Sequence, residues 1–280
     1  MINIPRIPLG EGIEMFIEWL VDHFAFATKA FSKVMETGLT ALQSALQFMP
    51  PWLFILIAAG LTWWLTRKRG VTLLTLLGLA LVWNMELWAA TTSTIALVII
   101  STLVAILIGV PVGILAAMYK PVDKVVTPIL DVMQTMPAFV YLIPAIPFFG
   151  LGKVAAIFST VVFAVPPAIR LTSLGIKQVP RELVECAEAF GSNRWQRLFK
   201  LELPLATPTI MAGVNQTVML ALSMVVIAAM IGAKGLGGEV WKAIQRLEMG
   251  NGFEAGIGIV IVAMILDRVL QKVGSRNNGK

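Results

Sequence analysis

The sequence predicts an all-α fold, a polytopic membrane helix bundle of about seven spans with an amphipathic N-terminal helix. Three observations carry this. Only 14% of the 280 residues are charged, against roughly 25% in a soluble domain. Apolar residues make up 58% of the chain. Charge-free stretches recur at lengths suited to a hydrocarbon core of about 30 Å.

Composition also narrows function. A single cysteine excludes an internal disulfide framework or a cysteine-cluster metal site, and a single histidine, His23, leaves triad or His-rich zinc chemistry little to stand on. No catalytic or metal-ligating residue is assigned. The net charge of +6 does not read as nucleic-acid affinity, because the cations cluster at the ends of apolar runs and form no aromatic-interleaved stripe. A cleavable secretory signal is not expected, since acids are scattered through the first thirty residues.

Residues 1–48 read as an amphipathic scaffold segment. Between 13 and 42, Ile13, Phe16, Ile17, Leu20, Phe24, Ala27, Phe31, Val34 and Leu42 recur at helical spacing, while Glu11, Glu14, Glu18, Asp22, Lys29, Lys33 and Glu36 share another face. So many charges suit a helix lying along the interface or bracing its neighbours better than one that spans. Residues 49–90 follow as a helical hairpin, with apolar stretches 52–66 and 71–85 split by Arg67-Lys-Arg-Gly70 and edged by tryptophans at headgroup depth. Residues 91–280 supply a five-span core, with spans near 91–119, 125–150, 154–173, 207–231 and 254–272. Within the first of these, Gly109-Val-Pro-Val-Gly113 has the small-xxx-small spacing of a close helix contact and a proline that can kink, so both packing and gating are open.

Basic residues set the orientation. Arg67–Arg69, Lys120 with Lys124, Arg170 through Lys200, and Arg268 onward fall on alternate connections, which places them in the cytoplasm with the C-terminus. The chain is therefore expected to be a multi-pass protein of the inner (cytoplasmic) membrane, in contact with lipid. Lys234, Lys242 and Arg246 on the outer connection, 232–253, are a modest exception.

Between the fifth and sixth spans lies a long cytoplasmic connection, 174–206. Pro180 can start a helix from Arg181 to Phe190, Gly191 can stop it, and Ser192-Asn193 can cap a second helix that Pro204 should break. Val184, Ala187, Phe190, Trp195, Leu198 and Phe199 make this either a knob for another protein's groove or a hairpin folded onto its own bundle.

The run Glu185-Cys186-Ala187, three residues, Gly191, nine residues, Leu201-Glu-Leu203-Pro204 resembles the EAA loop of the membrane subunits of ABC importers, E-A-A-x3-G-x9-I-x-L-P. Cys186 stands where the pattern has alanine and Leu201 where it has isoleucine, both with similar volume. Leu130-Asp-Val-Met-Gln-Thr-Met-Pro137, Phe139-Val-Tyr-Leu-Ile-Pro144 and Ile231-Gly-Ala-Lys-Gly-Leu-Gly237 resemble the osmoprotectant branch of these permeases, of the OpuA/ProU type. The resemblance covers about residues 90–272. It implies a type I ABC importer permease fold, with 174–206 as a coupling loop. Glu185, Cys186, Ala187, Glu188, Gly191, Leu201, Leu203 and Pro204 would dock an ABC ATPase subunit, with Glu185, Ala187 and Gly191 forming the docking turn.

The same resemblance implies no cofactor in this chain, ATP and Mg residing in the partner ATPase, and an extracellular substrate-binding protein outside. No G-x-x-x-x-G-K-[ST] occurs in the sequence, which agrees. The expected cargo is a compatible solute, glycine betaine or a related quaternary ammonium compound or proline, moved by alternating access. A homodimer is the default assembly, closed two-fold pairs being commonest.

Polar residues inside the spans are candidates for the translocation path: Asp131, Gln134, Tyr141, Asn215 and Gln216. Asp131 has a second reading, as a group pairing with a basic residue near the cytoplasmic end. The rival function is an ion-coupled secondary transporter of small zwitterions, which would favour inverted repeats and several intramembrane acids. Only Asp131 was assigned as such an acid.

Overall fold

The computed structural model describes residues 8–275. α1 (Leu9–His23) and α2 (Ala25–Phe48) fill the amphipathic stretch, parted by the single non-helical residue Phe24. The chain then turns by 100° at Pro50-Pro51 into α3 (Pro51–Thr66). Proline drives the preceding residue extended, and Pro50 sits at ψ 143°, so the helix cannot run on. α4 (Arg69–Asn84) returns beside α3, and Thr75 Oγ1 meets Thr62 Oγ1 at 3.4 Å between them.

α5 (Trp88–Met118) runs 31 residues straight through Pro111. α6 (Lys120–Thr135) follows, then a 3₁₀ turn, Ala138–Tyr141, leading into α7 (Leu142–Phe149). The stretch expected as one span, 125–150, is thus two helices bent by 114°. Pro137 holds Met136 extended at ψ 135°, and a proline there has no N–H to continue the ladder.

α8 (Lys153–Lys177) leads to the elbow, α9 (Arg181–Ala189) and α10 (Arg194–Arg197), a π turn over Leu198–Glu202, and α11 (Leu203–Ala228). The second elbow helix was expected to break at Pro204; instead α10, the π turn and α11 form one run, Arg194–Ile231. The π turn explains this: the Leu203 N–H reaches back to Leu198 O, and the register shift falls just before the residue that lacks a donor. α12 (Leu236–Arg246) occupies the expected outer connection, and α13 (Met249–Ser275) closes the described chain.

α5, α8 and the Arg194–Ile231 run are each long and apolar enough to cross a membrane alone, whereas the two bent pairs pass that test only jointly. α8 is the central post. It is 67% buried over its most apolar window, against 39% for α5. Lipid tails are as apolar as leucine, so helices in a bilayer associate through close packing rather than hydrophobic exclusion. The glycines supply that closeness. A Cβ at Gly109 would stand 2.7 Å from the Ala168 Cβ, and one at Gly113 would stand 2.6 Å from the Ile169 carbonyl oxygen. The Gly109-Val-Pro-Val-Gly113 stretch is therefore a packing surface against α8. On the other side of α8, a Cβ at Gly213 of α11 would lie 3.0 Å from the Pro167 carbonyl oxygen.

This contact gives a direct test. Gly113→Ala should lower the melting temperature of the solubilised complex, with an overpacking cost of about 1–3 kcal/mol. Gly60→Ala, where nothing lies within 4 Å of the added carbon, should leave it unchanged or slightly raised. Equal melting temperatures for Gly113→Ala and the parent would remove the glycine contact from the account.

Candidate functional site

The elbow between α8 and α11 is built from local chemistry. Pro180 precedes α9, and its carbonyl accepts the N–H of Leu183 at 3.1 Å. At the far end Gly191 takes φ +77°, the left-handed conformation that costs glycine nothing. Ser192 N–H donates to Ala187 O at 3.0 Å and Gly191 N–H to Glu188 O at 2.9 Å, the paired bonds of a Schellman stop. Two residues on, Asn193 and Gln196 exchange side-chain and backbone bonds at 2.8 and 2.9 Å in a capping box that starts α10. Helix, turn and helix are therefore specified by neighbours in sequence.

Four charged residues then tie the elbow down. Arg197 donates to Glu188 on α9 and, through Nε at 2.8 Å, to Glu202 at the root of α11. The Glu202 side chain is 11% exposed and that of Arg197 20%, so removal of Arg197 would leave Glu202 uncompensated in a poorly hydrated place. Arg194 donates to the Met118 carbonyl at the end of α5 and lies 4.6 Å from the centre of the Tyr119 ring. The elbow thus grips the ends of α5 and α11 and continues from α8. Arg181–Glu185, at 3.4 Å and largely solvated, adds little.

The residues expected at the docking surface divide into two groups. Glu185, Cys186, Glu188 and Gly191 are exposed around the turn, with Ala187 half-buried among them. Leu201 and Leu203 are half-buried at the root, next to exposed Pro204. The apolar knob is narrower than expected. Phe190, Trp195 and Phe199 project, at 86%, 55% and 61% exposure, but Leu198 is 1% exposed. It packs with Ile176 and Ala206 as the pin between α8 and α11. Helical spacing marked Leu198 as part of the apolar face but could not say which apolar residues turn inward.

The five polar residues expected along a path do not share one site. Asp131 pairs with Arg170 of α8 at 2.6 Å, the second of its two readings. Tyr141 is buried, its hydroxyl donating to the Met133 carbonyl and its ring edge-on to Phe163 at 5.6 Å. Asn215 Nδ2 donates to Asp267 Oδ1 of α13 at 2.9 Å. Gln134 and Gln216 are exposed on this chain.

Asp267 was missed as a span acid although it stands inside 254–272, beside Arg268. Gln271 Nε2 also donates to it, at 2.8 Å. Arg194, Arg197 and Glu202 were missed too. Their one sequence signal was an acid between two leucines at the foot of a span, five residues after an arginine.

Comparison with known proteins agrees with this geometry. The model of the binding-protein-dependent transport system inner membrane component family matches residues 109–271, from the first α5 glycine through the elbow to α13. The chain is 50% identical over 273 residues to the glycine betaine transport system permease protein OpuAB of Bacillus subtilis (strain 168), covering 98% of this chain and 96% of that one. It is 46% identical over 275 residues to the glycine betaine/proline betaine transport system permease protein ProW of Escherichia coli (strain K12), covering 98% and 77%. An inward-facing structure of the MetNI methionine ABC transporter matches with a TM-score of 0.58 at 24% identity, over 68% of this chain and 93% of that one, a likeness of fold. The chain belongs to the inner membrane components of binding-protein-dependent transport systems: it is an ABC importer permease subunit, not an enzyme.

Proposed function

We propose that this permease subunit imports glycine betaine or a related quaternary ammonium compound or proline, driven by ABC ATPase subunits that dock on its elbow. The observation that carries the coupling is the elbow itself: an exposed turn of fixed conformation whose side chains are bonded to the ends of α5 and α11. A push on Gly191 would travel as a rigid displacement of helix ends, because the intervening bonds leave little slack. ATP and Mg belong to the docked partner. An extracellular substrate-binding protein delivers the solute on the opposite side, and two copies of the permease enclose a path that opens alternately to each side.

The exposed glutamine of α11 supports a paired assembly. Gln216 lies well inside the apolar stretch 207–231, where a polar side chain facing lipid is unfavourable. A second copy or a wet path relieves that cost. Gln134 and Gln216 then supply weak contacts along the path, while Asp131, Tyr141 and Asn215, already bonded within the chain, hold its walls. The assignment of glycine betaine rests on the named activities of the relatives.

The test is uptake into proteoliposomes containing the whole complex. ATP-dependent accumulation of labelled glycine betaine, competed by carnitine, choline or proline in a measurable order, is expected; uptake that follows an ion gradient without ATP would overturn the proposal. Gly191→Val should abolish uptake while ATP hydrolysis persists. No atom lies within 4 Å of the added Cβ, so the effect would come from backbone conformation alone. Full coupled transport by this variant would sink the docking role.

The two amides of α11 should behave differently. Gln216→Leu is expected to reduce uptake without changing assembly or melting temperature. Asn215→Leu is expected to lower stability by about 1–3 kcal/mol, since the Asp267 carboxylate loses a charge-assisted bond. The reverse pattern, measured by thermal melts and uptake side by side, would exchange their roles.

A further inference from the structure

We propose that the junction of the α3–α4 turn with the end of α13 is a binding site for the phosphate of an anionic phospholipid. A pocket of about 230 Å³ lies there, lined by Thr66, Lys68, Val71, Arg268, Gln271 and Lys272. Three cations from two separate elements converge on it, and no acid is among the described residues that line it.

The backbone adds to the same field. α4 begins at Arg69 with no side-chain cap on Lys68 and no acid in its first turn, so its leading N–H groups are left to an outside acceptor. Thr66 does not supply it: the Thr66 Oγ1 is occupied with the Thr62 carbonyl at 2.7 Å and the Lys68 N–H at 3.3 Å. The nearby acid, Asp267, is engaged by Asn215 and by Gln271. A phosphate, with several acceptor oxygens and fixed negative charge, suits the Lys68 and Arg268 side chains and the leading α4 N–H groups, with Lys272 adding to the local positive charge.

A lipid is favoured over a free anion by position. The pocket stands where Arg67–Arg69 end the apolar stretch 52–66 and where Arg268 and Lys272 lie in the last turns of α13, and basic pockets between helices at that depth take anionic headgroups. Exposed Trp63 and Trp64 on the last turn of α3 are amphipathic rings suited to the headgroup layer. The lipid would tie the peripheral α3–α4 hairpin to α13, against which Gly78 of the hairpin packs on an apolar side chain: a Cβ at Gly78 would stand 2.7 Å from Ile261 Cγ2. The cytoplasmic placing rests on the orientation proposed above. Lipid retention itself does not depend on it, and is read without transport.

The experiment is native mass spectrometry of the detergent-solubilised complex, titrated with phosphatidylglycerol, with phosphatidylcholine and with inorganic phosphate. Phosphatidylglycerol should be retained, and the triple variant Lys68→Gln, Arg268→Gln, Lys272→Gln should weaken that retention on the order of a hundredfold. Arg268→Gln alone should weaken it about fivefold, which keeps the test alive if the triple variant does not assemble. A control losing the same charge elsewhere, Lys33→Gln, Lys120→Gln, Lys124→Gln, should retain lipid as the parent does. Equal loss in the control, equal retention of phosphatidylcholine, or competition by millimolar inorganic phosphate would each overturn the proposal.

Discussion

The close approach of α8 to α5 and α11 is the contact on which the rest of the structure depends. In a bilayer there is no hydrophobic penalty for leaving a leucine face outward, so a bundle is specified by where its backbones can come near enough for dispersion to add up. Gly109 and Gly113 on α5, and Gly213 on α11, permit that approach, since a Cβ at each would stand 2.7, 2.6 and 3.0 Å from atoms of α8. The elbow joins α8 to α11, the two helices that this contact holds together. Its ends therefore have fixed positions, and its turn points into solvent from a rigid base.

That geometry explains why the elbow needs charged residues inside it. A turn of helix–glycine–helix can swing about its glycine, and swinging would dissipate any force applied to the tip. Arg197 removes that freedom by bonding the helix before the glycine to the root of the helix after it. Arg194 does the same toward α5. Leu198, nearly inaccessible against Ile176 and Ala206, provides the pivot surface. The elbow is then a lever whose stiffness comes from side chains and whose shape comes from backbone conformation.

What was legible in the sequence follows the range of the forces involved. Gly191, Asn193 and Pro180 act on residues within a few positions, and the Schellman stop, the capping box and the start of α9 stand where their spacing put them. Three of the expected spans, 91–119, 154–173 and 207–231, were legible as composition and correspond to helices long and apolar enough to cross a membrane. The bend at Pro137 and the continuity through Pro204 were not, although proline marks both sites. In the first case the proline ends α6; in the second a π turn absorbs the missing donor, and the packing of Leu198 between α8 and α11 keeps the run together. The pairing of Asn215 with Asp267, 52 positions apart, and of Asp131 with Arg170, 39 apart, is set by tertiary approach, which local pattern does not carry.

The polar groups inside the bundle follow one rule that bears on how a path can be built. Asp131 and Tyr141 each bond a neighbouring segment of the same chain before any solute arrives, and Asn215 does so through Nδ2 while its buried Oδ1 has no partner among the described residues. Recruiting such a group to hold a solute tightly would require breaking a bond whose loss leaves a desolvated partner behind, at about 1–3 kcal/mol. Solute passing these walls would gain little from them. On the path proposed above, walls of this kind suit transit better than capture, because weak contacts lower no well that the solute must then climb out of.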